Sequence, residues 1–301
     1  MSAGVRRALL VGVAVVVVAA VAAFVVTRTE EPPGVTIAGG PFAEGDSIAG
    51  ATRGVLSPDG SQLAVLSPDG LGLAVGNRIR PITDDGSRVV DVAWFPNGST
   101  VLVAEGPVPT GLLAVVDIDG TVRGSIPLAP SVGFGDGHGM VVAPGGRRAV
   151  VTAVDRPALA AEQRRLVHVD LETGATRDLT PPGGPDETRP FFLDAERIAF
   201  VETTPGDGGG VRTVVIALAD GSVLDVATGV RVVGVTDGGQ PVLERSGELV
   251  IDGRRVGRVP AGTSLTSVHA GTGLGVLAES VTAADGSTTA RLRRLDLARA
   301  A

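Results

Sequence analysis

The sequence predicts an all-β fold, a six-bladed β-propeller preceded by a single N-terminal transmembrane helix. Three observations predict it. A short apolar hairpin turning on a small, Pro/Gly-rich corner recurs six times, Asp-Gly hairpins recur between these corners, and one uncharged run precedes them all. The corner residues are Pro58, Pro96, Pro144, Asp194, Asp237 and Gly271. Five steps separate the first from the last, a mean period of about 43 residues, and periods near 40–50 with four strands each mark propeller blades.

Taken from the N-terminus, residues 1–7 carry Arg6 and Arg7 and read as a cytoplasmic stub. Residues 8–26 are nineteen in a row without a charge. As a helix they span roughly 28 Å, enough for the hydrocarbon layer of a bilayer. Valine is a poor helix former in water, but lipid forces each backbone group to pair internally, so the helix wins. Arginines before the run and Glu30 and Glu31 after it put the N-terminus inside and the rest outside the cell membrane. A cleavable signal peptide is the alternative, with Ala20-Val21-Ala22 as the cleavage site. The apolar run, however, is longer than a usual signal core and continues past that site. Either way the folded part is exported. Residues 27–34, with Glu30-Glu31-Pro32-Pro33-Gly34, form a short stiff linker.

Residues 35–301 are the propeller. The clearest repeats are 55–65, around Ser57-Pro58-Asp59-Gly60, and 93–103, around Trp94-Phe95-Pro96-Asn97-Gly98. Looser copies fall at 140–150, 191–200, 233–242 and 268–277. Asp119-Gly120, Thr173-Gly174, Asp220-Gly221 and Asp252-Gly253 join the later strands of their units, because Gly reaches positive φ at no steric cost. The last unit offers three strands, near 267–270, 275–279 and 290–296, and lacks a fourth. Residues 35–38 precede the first blade with nothing of their own to pair with. A ring must protect its open edge, so 35–38 is expected to complete the last blade.

Composition agrees. The apolar share is 44% and the aromatic share 3%, so the core is built from Val, Leu, Ala and Ile; 44 Gly and 20 Pro suit many tight turns. The net charge of −7, with no basic stripe, argues against nucleic acid as a partner. The absence of Cys rules out disulfides, thiolate catalysis and Cys-ligated zinc, and three scattered His give zinc no convincing site. Asp117-Ile118-Asp119-Gly120 looks like the start of a calcium loop but lacks the distal Glu. Gly45-Asp46-Ser47-Ile48 looks like the nucleophile block of GDSL hydrolases, but no Asp-x-x-His follows near the C-terminus. No nucleophile elbow, phosphate loop or dinucleotide fingerprint is present, so no catalytic residue, metal or cofactor is implied.

Ser57-Pro58-Asp59-Gly60 with Leu63-Ala64-Val65, and Trp94-Phe95-Pro96-Asn97-Gly98 with Val101-Leu102-Val103, resemble the PD40 (WD40-like) repeat. That repeat builds the propeller of the TolB-like family, which includes membrane-anchored actinobacterial-type envelope proteins. The resemblance runs from about residue 35 to the end, strongest in the first two repeats. It implies a six-bladed propeller that binds proteins or envelope components. The chain departs from TolB itself, which carries an α/β domain before its propeller, so TolB's own partners do not carry over.

The proline-type corners should join first to second strands and the Asp-Gly turns third to fourth, both on one face. The longer connections, 105–110, 129–139, 155–165, 181–190, 203–210 and 281–287, then fall on the opposite face. Loops on a rigid scaffold tolerate insertion and carry function. That face is therefore the expected partner-binding surface, through Asp136, His138, Asp155, Arg156, Arg164, Arg189, Glu202 and Asp207, with Asp186 and Glu187 beside them. Residues 156–165 look like a short helical insertion. The function expected is a non-catalytic, membrane-anchored, extracytoplasmic propeller, monomeric, binding an envelope protein or polymer. The alternative is a cell-envelope hydrolase or lyase with a carboxylate/His site at the channel.

Overall fold

A computed structural model describes residues 47–83, 88–106, 111–128, 134, 139–155, 163–204, 210–269, 272–282 and 288–297; for 155 and 163 it describes the backbone alone. The apolar run 8–26, the linker 27–34 and residues 35–38 lie outside the described residues.

The described chain forms twenty-four strands in six four-stranded antiparallel sheets. A lone strand, β1 (Ser47–Ala49), comes first. Blade 1 follows with β2 (Arg53–Leu56), β3 (Leu63–Ser67), β4 (Gly70–Val75) and β5 (Arg78–Pro81). Blade 2 is β6 (Val89–Trp94), β7 (Thr100–Glu105), β8 (Leu112–Asp117) and β9 (Val122–Pro127). Blade 3 is β10 (Met140–Val142), β11 (Arg148–Asp155), β12 (Gln163–Asp170) and β13 (Thr176–Asp178). Blade 4 is β14 (Asp186–Phe192), β15 (Arg197–Thr203), β16 (Val211–Ala217) and β17 (Val223–Thr228). Blade 5 is β18 (Arg231–Val235), β19 (Pro241–Arg245), β20 (Glu248–Ile251) and β21 (Arg254–Arg258). Blade 6 is β22 (Thr263–His269), β23 (Leu274–Thr282) and β24 (Thr288–Asp296), with β1 as its fourth strand.

Burial follows position in the blade. Second strands pack between neighbouring blades on both faces and lose the polar alternation of a half-exposed strand; Leu63, Ala64, Val65 and Leu66 of β3 are all buried. Outermost strands meet solvent, and β17 is exposed at five of its six residues. Six apolar clusters result, one at each seam between blades. That between blades 3 and 4, for example, gathers Val150, Leu166, Ile198, Phe200 and Ile216, and that between blades 6 and 1 gathers Ile48, Leu63, Val65, Val276 and Leu292.

The ring is closed from the N-terminal side, and the fourth strand of blade 6 is β1, at 47–49 where residues 35–38 were expected. Ser47, Ile48 and Ala49 pair with Arg293, Leu292 and Arg291 of β24. Ser47 is thus an exposed residue of an outermost strand. Ile48 is 1% exposed in the seam cluster, so it anchors β1 by packing as well as by backbone pairing. Ile48→Val removes one buried methyl and should cost about 1 kcal/mol. Thermal unfolding would then begin a few degrees lower, and an unchanged midpoint would show that β1 adds nothing to closure.

Two expectations about local structure are corrected. Residues 163–165 belong to β12 and pair with 153–155, so this end of the expected helical insertion is strand; 156–162 lie outside the described residues. The tetrapeptide Ser-Pro-Asp-Gly also occurs twice in blade 1 with different uses. At 57–60 it joins first to second strand, while at 67–70 its two central residues join second to third. Turn chemistry fixes a reversal of the chain but not the face on which it lies.

Candidate functional site: the arginine mouth of the central channel

The six innermost strands, β2, β6, β10, β14, β18 and β22, line a central cavity of about 770 Å³. That size is within the ~300–1,000 Å³ of ligand sites in general. The end at which these strands begin is also the end of the second-to-third-strand connections, so it opens on the face of the long loops.

One repeat position recurs at the level of that mouth, and Arg53, Gly139 and Arg189 line it. Arg53, Asp91, Gly139 and Arg189 each precede the corner residue of their blade by five, and Arg231 precedes its corner by six. Backbone irregularities concentrate at this level. Register shifts interrupt the innermost strands of blades 2, 4, 5 and 6 at 89/91, 188/191, 232/234 and 265/267. Such bulges re-aim side chains and gather beside functional sites.

Arg189 sits in the blade 4 bulge with φ of 56°, one of three non-glycine residues among those described with positive φ. Its neighbour Pro190 already bars the helical region to it, and the left-handed conformation carries its side chain into the channel. A non-glycine residue held there costs free energy that the surrounding structure must supply. Gly139 makes the bulge possible. A Cβ at Gly139 would lie 2.8 Å from Arg189 Cα and 2.9 Å from its N, so only glycine admits this approach.

Gly139 also donates its N–H to Asp91 Oδ2 at 2.8 Å. Asp91 Oδ1 accepts from Arg53 Nη1 at 2.6 Å and from the Val92 N–H at 2.7 Å. A continuous belt therefore joins blades 1, 2, 3 and 4. Arg189 Nη1 extends it to blade 6 through a 3.3 Å hydrogen bond to the Leu265 carbonyl. Burial, together with the charges of Arg53 and Arg231, holds the Arg189 pKa below its ordinary value, and Glu244 opposes them. Arg231 is exposed at the rim, directly opposite Glu244 in the blade 5 register. Arg53 and Arg189 line the cavity, and Arg231 begins β18, whose residues 233–235 line it; only Arg53 of the three has a carboxylate at hydrogen-bond distance within the described residues.

Three residues before the corner, two deeper in blades 1 to 4 and three deeper in blade 5, the same repeat yields a second ring: Val55, Ala93, Val141, Phe191, Gly234 and Val268 all line the cavity. In blade 1, where the register is unbroken, residues i and i+2 face the same side, so Val55 lies directly beneath Arg53; the other members reach the same level of the cavity past the bulges. Trp94, the only tryptophan of the chain, also borders the cavity and donates its indole N–H to the Val55 carbonyl at 2.8 Å.

Of the residues expected on the loop face, Asp136, His138, Arg156 and Asp207 lie outside the described residues, as does the side chain of Asp155. Arg189 is found in the channel wall rather than among the loops. Arg164 and Glu202 are each engaged: Arg164 with Asp186 across the blade 3–blade 4 seam at 2.7 Å, and Glu202, which is buried, with Arg212 of its own blade at 2.5 Å. Glu187 is buried opposite Glu202 and accepts a hydrogen bond from Thr180, whose Oγ1 accepts the Leu166 N–H at 2.9 Å. Burial first, then the charges of Glu202 and Asp186, push the Glu187 carboxyl up to about 7.

Sequence reasoning missed Arg53, Asp91 and Arg231. The signal of Arg53 and Asp91 was present in their common offset of five from the corner residues, from which Arg231 departs by one. The opposite mouth holds Asp237 and His269, 3.8 Å apart, also missed. Thr272 N–H donates to His269 Nδ1, which leaves the proton on Nε2 for the Pro58 carbonyl at 2.7 Å, so this imidazole ties blade 6 to blade 1. Among the described residues, no three His, Cys, Asp or Glu side chains come together as metal ligands would.

The class defined by this architecture is the six-bladed β-propeller. No protein-family model and no curated protein matches the chain. Solved structures do. A gluconolactonase of Xanthomonas campestris superposes with a TM-score of 0.57 at 13% identity, over 83% of this chain and 87% of that one. TolB from Acinetobacter baumannii gives 0.43 at 16% identity, over 84% of this chain and 65% of TolB. An oligogalacturonate lyase of Vibrio parahaemolyticus gives 0.48 at 16%, over 79% and 73%. At these identities the likeness is one of fold.

Proposed function

We propose that the protein is a non-catalytic, membrane-anchored, extracytoplasmic propeller that binds an envelope protein or polymer through its long-loop face, with the arginine mouth at the centre of that face. The belt of Arg53, Asp91, Gly139 and Arg189 carries this reading. Fixed, hydrogen-bonded charge around an opening suits recognition, and Arg is the residue best suited to fork-like contacts with anionic groups. A general acid or base needs a group free to exchange its proton with substrate, whereas both oxygens of Asp91 already accept hydrogen bonds. The address rests on residues 8–26 and the charges around them.

The second reading, a hydrolase or lyase using a carboxylate/His pair in the channel, is favoured by one observation, the 3.8 Å approach of Asp237 to His269 at the opposite mouth. Both ring nitrogens of that histidine are engaged by neighbours, which places the weight on binding.

Crosslinking capture in the native host tests the proposal. Arg88→Glu with Arg231→Glu reverses exposed charge on the long-loop face, and Arg255→Glu does so beside the β20–β21 turn on the other face. A partner held by the wild type and by Arg255→Glu should be lost from the double variant at least tenfold. Equal capture by all three would overturn binding through this face.

A further inference from the structure

The channel carries two levels, with the guanidinium groups of Arg53 and Arg189 at the mouth and aliphatic and aromatic groups deeper. Their separation is two strand residues, about 6.6 Å along the axis. From this we infer that the channel is a binding site for an amphipathic carboxylate. Its acid group meets Arg189 between Arg53 and Arg231, and its aliphatic chain descends along Val55, Val141 and Phe191.

Four features converge on it. Arg189 has five N–H donors and a single 3.3 Å hydrogen bond among the described residues. Its left-handed backbone and the Cβ-free Gly139 beneath it are the strained and close-packed features expected where a side chain is held in place for a ligand. Asp91 takes up the charge of Arg53, so the belt keeps net positive charge at Arg189 without leaving three like charges uncompensated. The ring below offers no charge, and a free inorganic anion would leave its apolar surface uncovered. A carboxylate on a chain of roughly five or six carbons spans the two rings at strand spacing. The acid is either a free aliphatic acid or the side chain of an acidic residue flanked by aliphatic ones. For the second source the inference rests on the protein-binding reading above.

Titration of the full chain in non-ionic detergent, followed by Trp94 emission and by calorimetry, tests it. The probes are hexanoate, hexanamide, hexylamine, inorganic phosphate and the capped tripeptides acetyl-Leu-Val-Glu-amide and acetyl-Leu-Val-Gln-amide. Hexanoate or the Glu tripeptide should bind at least tenfold more tightly than its own amide, and the tighter of the two identifies the source. Arg189→Gln should remove at least tenfold of that affinity. Arg231→Gln, an exposed position whose exchange leaves the fold intact, should remove about threefold, and added salt should weaken binding. Hexanamide binding as well as hexanoate, phosphate binding as well as either acid, or no saturation below 10 mM by any acid would each overturn the inference. Partner capture is independent of this titration. A partner lost with the long-loop charges but no acid bound refutes the carboxylate site alone, and an acid bound with no partner captured refutes the envelope-partner reading alone.

Discussion

Asp91→Ala is expected to lower the free energy of unfolding by about 3–5 kcal/mol, read from urea or thermal denaturation of the full chain. The residue is 4% exposed, and its carboxylate is the acceptor for three donors, the Arg53 guanidinium, the Val92 N–H and the Gly139 N–H. Its removal strands a partly buried guanidinium and two backbone donors at the same time. Unsatisfied buried groups cost more than the same bonds contribute when made. The donors come from blades 1, 2 and 3, so the loss spreads over two seams. Asp91→Asn separates charge from shape. An amide has one acceptor oxygen, and its NH₂ must face either Gly139 N–H or the pair of Arg53 and Val92. Asn should therefore recover little of the loss. Recovery of most of it by Asn would show that the cavity left by Ala, and not the acceptor pattern, is what the fold lacks.

The belt explains which parts of the molecule were legible in its sequence. The period of about 43 residues and the corner residues are local signals, written in Pro, Gly, Asn and Asp, and they place six blades correctly. Strand limits follow where turn chemistry is strong: Glu248–Ile251 and Leu112–Asp117 are bounded by Asp252-Gly253 and Asp119-Gly120. In the first of these both residues have positive φ, 48° and 72°. The closing strand was legible only as a vacancy in the count. Ser47-Ile48-Ala49 is too short to show a period, and its one buried side chain finds its cluster only when the ring closes.

The site was less legible for a different reason. Functional charge was sought in long loops, but the structure builds the mouth from strand residues whose facing depends on bulges. A bulge is set by the twist of paired strands and leaves no residue signature of its own. Arg189 illustrates this. Its sequence position suggests a loop before a strand, whereas its pairing puts it inside β14 and its side chain in the channel. Arg164 and Glu202 lie at the long-loop end of the molecule, and their ion pairs with Asp186 and Arg212 give them structural tasks at and beside the blade 3–blade 4 seam.

That seam carries the second large effect, the pH dependence of Glu187. Its carboxyl ionises at about 7 in the folded protein because it is buried and sits among the charges of Glu202 and Asp186, with the Thr180 hydroxyl opposing; its ordinary value is 4.5. Below pH 4.5 both folded and unfolded chains carry the proton, and the contribution to stability is fully present. Between 4.5 and 7 the folded state retains a proton that the unfolded chain has released, so stability falls as pH rises. Above 7 the loss is complete, at about 3 kcal/mol for a shift of this size. Glu187→Gln stays neutral at every pH and keeps an oxygen that accepts from Thr180. The variant should match the wild type near pH 4.5 and exceed it by about 2–3 kcal/mol at pH 8, with the slope between pH 5 and 7 reduced accordingly. Urea unfolding at pH 5 and pH 8 measures both quantities. A Gln variant less stable than the wild type at pH 8 would mean that the ionised carboxylate is held by donors that outweigh its burial. The seam would then be an ion-paired latch and not a site of stored repulsion.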